Sequence, residues 1–141
     1  MRGILIDPFA KTVTEIEVNY AKDGIHAIYA AIDANCFDVV RLNDEGDGVY
    51  VDDEGLYRED QAFFVLRGYE SPLAGKGLIL GCDQEGETRD ALISLKDVRW
   101  MVEFPELEFV DMECFESIVD HPILGPNTPL IGSRPIFRRR A

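Results

Sequence analysis

Short β-prone runs alternate along this chain with clusters of Gly, Pro, Asn and Asp. That rhythm suits a sheet assembled from hairpins and leaves little room for a helical bundle. Ile4–Ile6 and Val13–Val18 flank Asp7-Pro8-Phe9-Ala10-Lys11, whose proline and short polar residues predict a turn and so an opening hairpin. Phe37–Leu42 and Gly48–Val51 flank the polar stretch 43–47 and predict a second hairpin. Ala62–Leu66 and Gly77–Leu80 supply two further strands, with a glycine- and proline-marked loop between Gly68 and Lys76.

Helical spacing is confined to brief segments. Ile25, Ile28, Ala31 and Ile32 form one apolar stripe within 23–34, with Asp23 placed as N-cap. Ser94–Asp97 has the form of a capping box, yet Val98, Trp100, Val102 and Phe104 alternate as a strand would, which predicts a short helix running into a strand. Phe115, Ile118 and Val119 make another short helical stripe, stopped by His121-Pro122. Four prolines from Pro122 onward predict an extended ending. The expected fold class is α+β: a single mixed or mostly antiparallel sheet of about six strands with two or three short helices. Residues 1–121 are expected to form a single acidic domain and 122–141 an extended Pro/Arg-rich arm.

With 141 residues the chain fits one domain, and a hydrophobic fraction of 46% is enough to build a core. No segment approaches the length of a membrane span, and no membrane association is expected. The apolar stretch near the start is too short for a signal-peptide core. Cys36, Cys82 and Cys114 are odd in number and widely spaced, which argues against a disulfide framework and favours the cytoplasm.

Net charge is −13, distributed unevenly. Arg134, Arg138, Arg139 and Arg140 follow the last acidic residue, Asp120, so residues 1–133 hold 27 acids against 10 bases, a net −17. Such a surface repels phosphate backbones, and no direct nucleic-acid contact is expected. The terminal arginines favour self-association with an acidic body over nucleic acid.

Four motifs carry residue types that could do chemistry. Asn43, Glu45, Asp47, Gly48 and Glu54 sit on calcium-loop positions, but Asn replaces the first Asp and the flanks are strands where helices are required; an acidic β-turn is the expected reading. Gly68, Gly75 and Lys76 loosely echo a phosphate loop, with the wrong glycine spacing and Gly77 in place of the Ser or Thr. His26 with Cys36, or His121 with Cys114, would be needed for a cysteine nucleophile, and neither pair has a local signature. Asp52, Asp53, Glu54, Glu59 and Asp60 gather near a strand end, where a solvated face is expected before acid–base chemistry. No catalytic residue, metal or cofactor is therefore assigned. Adjacent Phe63 and Phe64 must point to opposite faces of a strand; a sheet covered on both sides is the first expectation and a homodimer the alternative.

Together the blocks GILIDPFAKTVTEIEV (3–18), VVRL (39–42), VYVDDEGL (49–56), QAFF (61–64) and PLAGKGLILG (72–81) resemble the DUF3846 family over roughly residues 2–104. The resemblance implies a phage or mobile-element protein of the bacterial cytoplasm and carries no assigned chemistry. The expected function is a non-enzymatic accessory protein that binds a protein partner through Asp44, Glu45, Asp47, Asp52, Asp53, Glu54, Glu59 and Asp60, as an inhibitor of host defence that mimics nucleic acid. The alternatives are a small-molecule or nucleotide pocket near 49–77 using Tyr57, Tyr69 and Lys76, and a structural homo-oligomer, most simply a dimer, whose C-terminal arm wraps a neighbour.

Overall fold

The computed structural model describes residues 1–140. By internal contacts the chain divides into two units, 1–106 and 107 onward.

The first unit is built on an antiparallel sheet of six strands. Strands β1 (Arg2–Asp7) and β2 (Thr12–Glu17) form the opening hairpin, and β3 (Phe37–Arg41) and β4 (Gly48–Asp52) form the second, as expected. Between the hairpins the expected helix is split into α1 (Tyr20–Asp23) and α2 (Ile25–Ile32). Gly24 causes the break: at φ 58° it takes a conformation natural to glycine and itself occupies the N-cap of α2, so Asp23 does not cap. Strands β5 (Phe63–Leu66), β6 (Leu73–Ala74), β7 (Gly77–Cys82) and β8 (Thr88–Arg89) follow. Helix α3 (Leu95–Met101) then opens at Ser94, whose side chain accepts a hydrogen bond from the Asp97 amide, and it runs into the short strand β9 (Val102–Glu103).

The main sheet has the order β2-β1-β7-β4-β3, with β8 added to the end of β7. Central β7 is buried from Gly77 through Gly81, because both faces of the sheet are covered. On one face Ile4, Ile6, Val49 and Ile79 pack against Phe64 and Leu66 of β5 and Val98 of α3. On the other face Leu78 and Leu80 pack against Val18 and against Ile28 and Ile32 of α2. Phe63 and Phe64 are both buried, at 1% and 0% exposure, so the first unit absorbs both rings and neither is left over for a homodimer. Gly77 is required by this packing: a Cβ there would lie 2.7 Å from Phe64 Cζ.

Two expectations are corrected. The fold is predominantly β, with 49% of residues in strands, and in place of a single sheet there are three: the main sheet, a small β6-β5-β9 sheet, and a separate hairpin. That hairpin joins β10 (Leu107–His121) to β11 (Gly125–Arg139). The predicted helix around Phe115–Val119 is thus strand, and the Pro-rich ending is its pairing partner. Local spacing misled here, because a three-residue apolar stripe is weak evidence for a helix when a 15-residue partner strand exists elsewhere. The boundary expected at 121/122 falls at the tip of this hairpin.

Candidate functional site

The acidic residues singled out by sequence lie at the two ends of β4. Asn43–Asp47 form the β3–β4 turn, and residues 52–60 follow the other end of the strand, roughly 15 Å away for a five-residue strand. They are therefore two groups, not one cluster.

At the first end the turn is tied inward. Asn43 Oδ1 accepts from the amides of Glu45 and Asp47, at 3.0 and 3.1 Å, and Asn43 Nδ2 donates to Asp47 Oδ2 at 3.0 Å. Asp47 is 1% exposed, and its two carboxylate oxygens accept the backbone N–H groups of Leu92 (2.9 Å) and Ile93 (3.0 Å). Those donors belong to an irregular segment with no ladder partner, so the carboxylate supplies the acceptors that a strand otherwise would. Asp47 therefore leaves the partner-facing set and becomes a latch that holds Leu92 and Ile93 to the sheet, beside Arg2, which holds Ala91. The calcium-loop spacing is accounted for in the same way: Asp47 turns into the protein while Glu45 stays exposed. Gly46, at φ 104°, brings its carbonyl to the Cys82 amide at 2.9 Å. That contact places a second acidic turn, Asp83–Glu87, beside Asp44 and Glu45. Sequence reading missed Asp83, Glu85 and Glu87, because only the register of β4 on β7 joins the two turns.

At the second end Asp52 is also structural. Its side chain is 7% exposed and accepts from the Glu54 amide and from Arg58 Nε, each at 2.9 Å. This carboxylate raises the pKa of Arg58. Asp53, Glu54, Glu59 and Asp60 remain exposed. Among them, on a 3-10 turn at Gly55–Tyr57, Tyr57 is 74% exposed, an aromatic ring presented between carboxylates.

The three residues named for a pocket near 49–77 sit on separate elements: Tyr57 on the 3-10 turn, Tyr69 in the β5–β6 loop and Lys76 just before β7. Lys76 Nζ donates to Asp33 Oδ2 at 2.6 Å, and this hydrogen bond raises the lysine pKa, so Lys76 is engaged at the end of α2. Tyr69 is 43% exposed in the β5–β6 loop. An open groove of about 360 Å³ lies elsewhere, lined by Lys11, Val13, Arg99 and Phe104 among others. Its two cations are committed: Arg99 donates to the Val13 carbonyl and Lys11 pairs with Glu106.

His121 and Cys114 are not brought together for nucleophilic chemistry. His121 Nδ1 accepts the amides of Ile123 and Leu124 at the hairpin tip, while Cys114 is seven positions back along the strand, roughly 23 Å away. The His26 ring sits edge-on to Tyr29. No grouping of three His, Cys, Asp or Glu side chains that could hold a metal ion occurs among the described residues. No helix among them is long and apolar enough to cross a membrane.

A family model, the domain of unknown function DUF3846, matches residues 1–101. The chain belongs to the DUF3846 family. The match covers nearly all of the first unit and ends before the hairpin, in agreement with the resemblance read from the sequence blocks. No match was found among curated proteins or among solved structures.

Proposed function

We propose that this DUF3846 chain is a non-enzymatic interaction protein that presents acidic surface to a basic protein partner. One observation carries the reading. Residues 1–106 hold 22 acids and 10 bases, a net −12. Eight of those ten bases are engaged inside the unit: Arg2, Lys11, Arg41, Arg58, Arg67, Lys76, Arg89 and Arg99 each reach a carboxylate or a backbone carbonyl. Exposed carboxylates thus dominate the outward field, which steers basic partners and repels polyanions.

The two acidic groups flanking β4 are the contact points of this reading, with Tyr57 as the aromatic anchor at one of them, since exposed tyrosines between charged residues are frequent hot spots. A partner whose groove is shaped for nucleic acid offers the complementary charge. A phage or mobile-element accessory protein acting on a host defence protein in the bacterial cytoplasm is the setting that suits this chemistry.

The test is capture from host lysate on the immobilised full chain at about 50 and about 300 mM salt, where screening shortens from roughly 14 to 6 Å. Basic proteins retained only at low salt, and released when Asp53, Glu54, Glu59 and Asp60 are changed to their amides, support the reading. Failure to retain any protein at low salt defeats it, as does retention indifferent to the amide variant.

A further inference from the structure

Residues 107–140 form a two-stranded ribbon in which no residue is buried. Such a hairpin is at best marginally stable in water without a third strand or a packed face. Its two faces differ sharply. Cross-strand partners share a face, so the register puts Phe109 with Phe137, Met112 with Pro135, Cys114 with Ser133 and Ile118 with Pro129 on one side. The bulge at Val110 keeps the Phe109–Phe137 rung on that side.

Of the twelve residues on this face, only Glu116 and Arg139 are charged. Ile118 and Ile131 stand 71% and 76% exposed near its outer end. The opposite face carries Glu108, Asp111, Glu113, Arg134 and Arg138, and it dresses itself. Phe115 lies over Gly132, the Arg134 guanidinium sits 5.4 Å from the Phe115 ring centroid, and Arg134 and Arg138 pair with Glu113 and Glu108.

The free edge of β11 is a poor place for another strand. Pro129 and Pro135 are in phase, and a proline within a ladder must turn its nitrogen away from the partner strand, so two donors are missing from the outer edge. Compared with that edge, the apolar face is the better surface for association.

We propose that this face packs against the same face of a second copy of the chain, with the two hairpins antiparallel about a two-fold axis. Charge selects both the partner and the direction. The hairpin segment from 107 onward holds five acids and four bases, a net −1, against −12 for residues 1–106, so it is where two copies of this acidic chain approach with least repulsion. In a parallel stack each rung meets its own counterpart, which sets Glu116 beside Glu116 and Arg139 beside Arg139. In an antiparallel stack of full overlap, the 116/131 rung of one copy lies over the 109/137 rung of the other, one rung from its Arg139. The two lone charges then form two symmetric opposite-sign pairs around an apolar centre. The points where the −12 segments attach, at Leu107, also fall at opposite ends of the stack. The contact is isologous and closes at two copies. Its contact face shares no residue with the acidic contact groups of the proposed function.

Sedimentation velocity of the full chain across a concentration series tests this. A concentration-dependent dimer is expected, with association weakened at least about tenfold by Ile131→Lys and unchanged by Leu130→Lys on the other face. Glu116→Arg weakens it as well, and Glu116→Arg with Arg139→Glu in one chain restores it. The double reversal keeps the conclusion safe from simple misfolding, because a damaged hairpin would not recover. A monomer at every concentration overturns the proposal, and so does open-ended assembly, a dimer indifferent to Ile131→Lys, or a double reversal no better than the single change.

Discussion

In residues 1–106 the central strand β7 places five consecutive residues out of contact with water, whereas in 107–140 two 15-residue strands bury none. Backbone pairing is equally regular in both. What differs is the covering: β7 has a helix layer on one face and a small sheet with α3 on the other, while the hairpin by itself is two strands with no second layer. Hydrogen-bonded ladders alone contribute little net stability, and burial decides which ladder is rigid. The family match ends at residue 101, near the point where burial ends.

The sharpest way to break that contrast is to make one substitution in both regions. Phe64→Ala removes a fully buried ring from the center of the first unit and is expected to cost about 3–5 kcal/mol. Phe115→Ala removes a ring that is 38% exposed on the hairpin and should leave the main unfolding transition within about 0.5 kcal/mol of its original stability. Urea denaturation followed by the near-UV signal reads both. Equal losses would mean that the hairpin belongs to the same cooperative core.

Next in size is the latch at Asp47. Asp47→Ala strands the N–H groups of Leu92 and Ile93 and the Asn43 amide that now bond to it. Unsatisfied buried donors cost about 1–3 kcal/mol each, and local relaxation toward water keeps the sum near 3 kcal/mol. Asp47→Asn retains one acceptor and should lose about half as much. Hydrogen exchange at Leu92 and Ile93 locates the effect: if those amides stay protected in the alanine variant, the latch is not what holds them.

The two regions were also unequally legible. Both hairpins of the first unit, the Ser94 cap and the strand at Phe63–Leu66 followed from local chemistry, because turn residues and alternation act over a few positions. Strand β10 did not. Phe115, Ile118 and Val119 fit a helical stripe, and only pairing with a segment holding three prolines makes them a strand. The acidic residues show the same limit at the scale of single side chains. Asp47 and Asp52 read like their neighbours, yet one holds two backbone amides and the other holds Arg58, while Asp83, Glu85 and Glu87 join Asp44 and Glu45 only through strand register. Charge could be counted from the sequence, but which carboxylates remain free for a partner depends on long-range contacts.

The smallest effect expected concerns Lys76 and Asp33, an ion pair at the edge of the first unit. The Asp33 carboxylate holds the Lys76 pKa above its ordinary 10.5. A raised lysine pKa means that the folded state binds the proton more tightly than the unfolded state. The contribution is therefore fully present below the unfolded value and disappears as pH rises through the folded one. Asp33 is largely exposed, so solvent screening limits the pair to a few tenths of a kcal/mol. Lys76→Met should accordingly lower stability slightly at about pH 8, and the gap to the unaltered chain should close as pH rises beyond 10.5 through the raised folded value. Paired denaturation curves on either side of that value read the difference. A gap that persists at high pH would assign the loss to the lysine's packed methylenes, which are 24% exposed with their head group, and the edge of the first unit would then owe its order to burial as its center does.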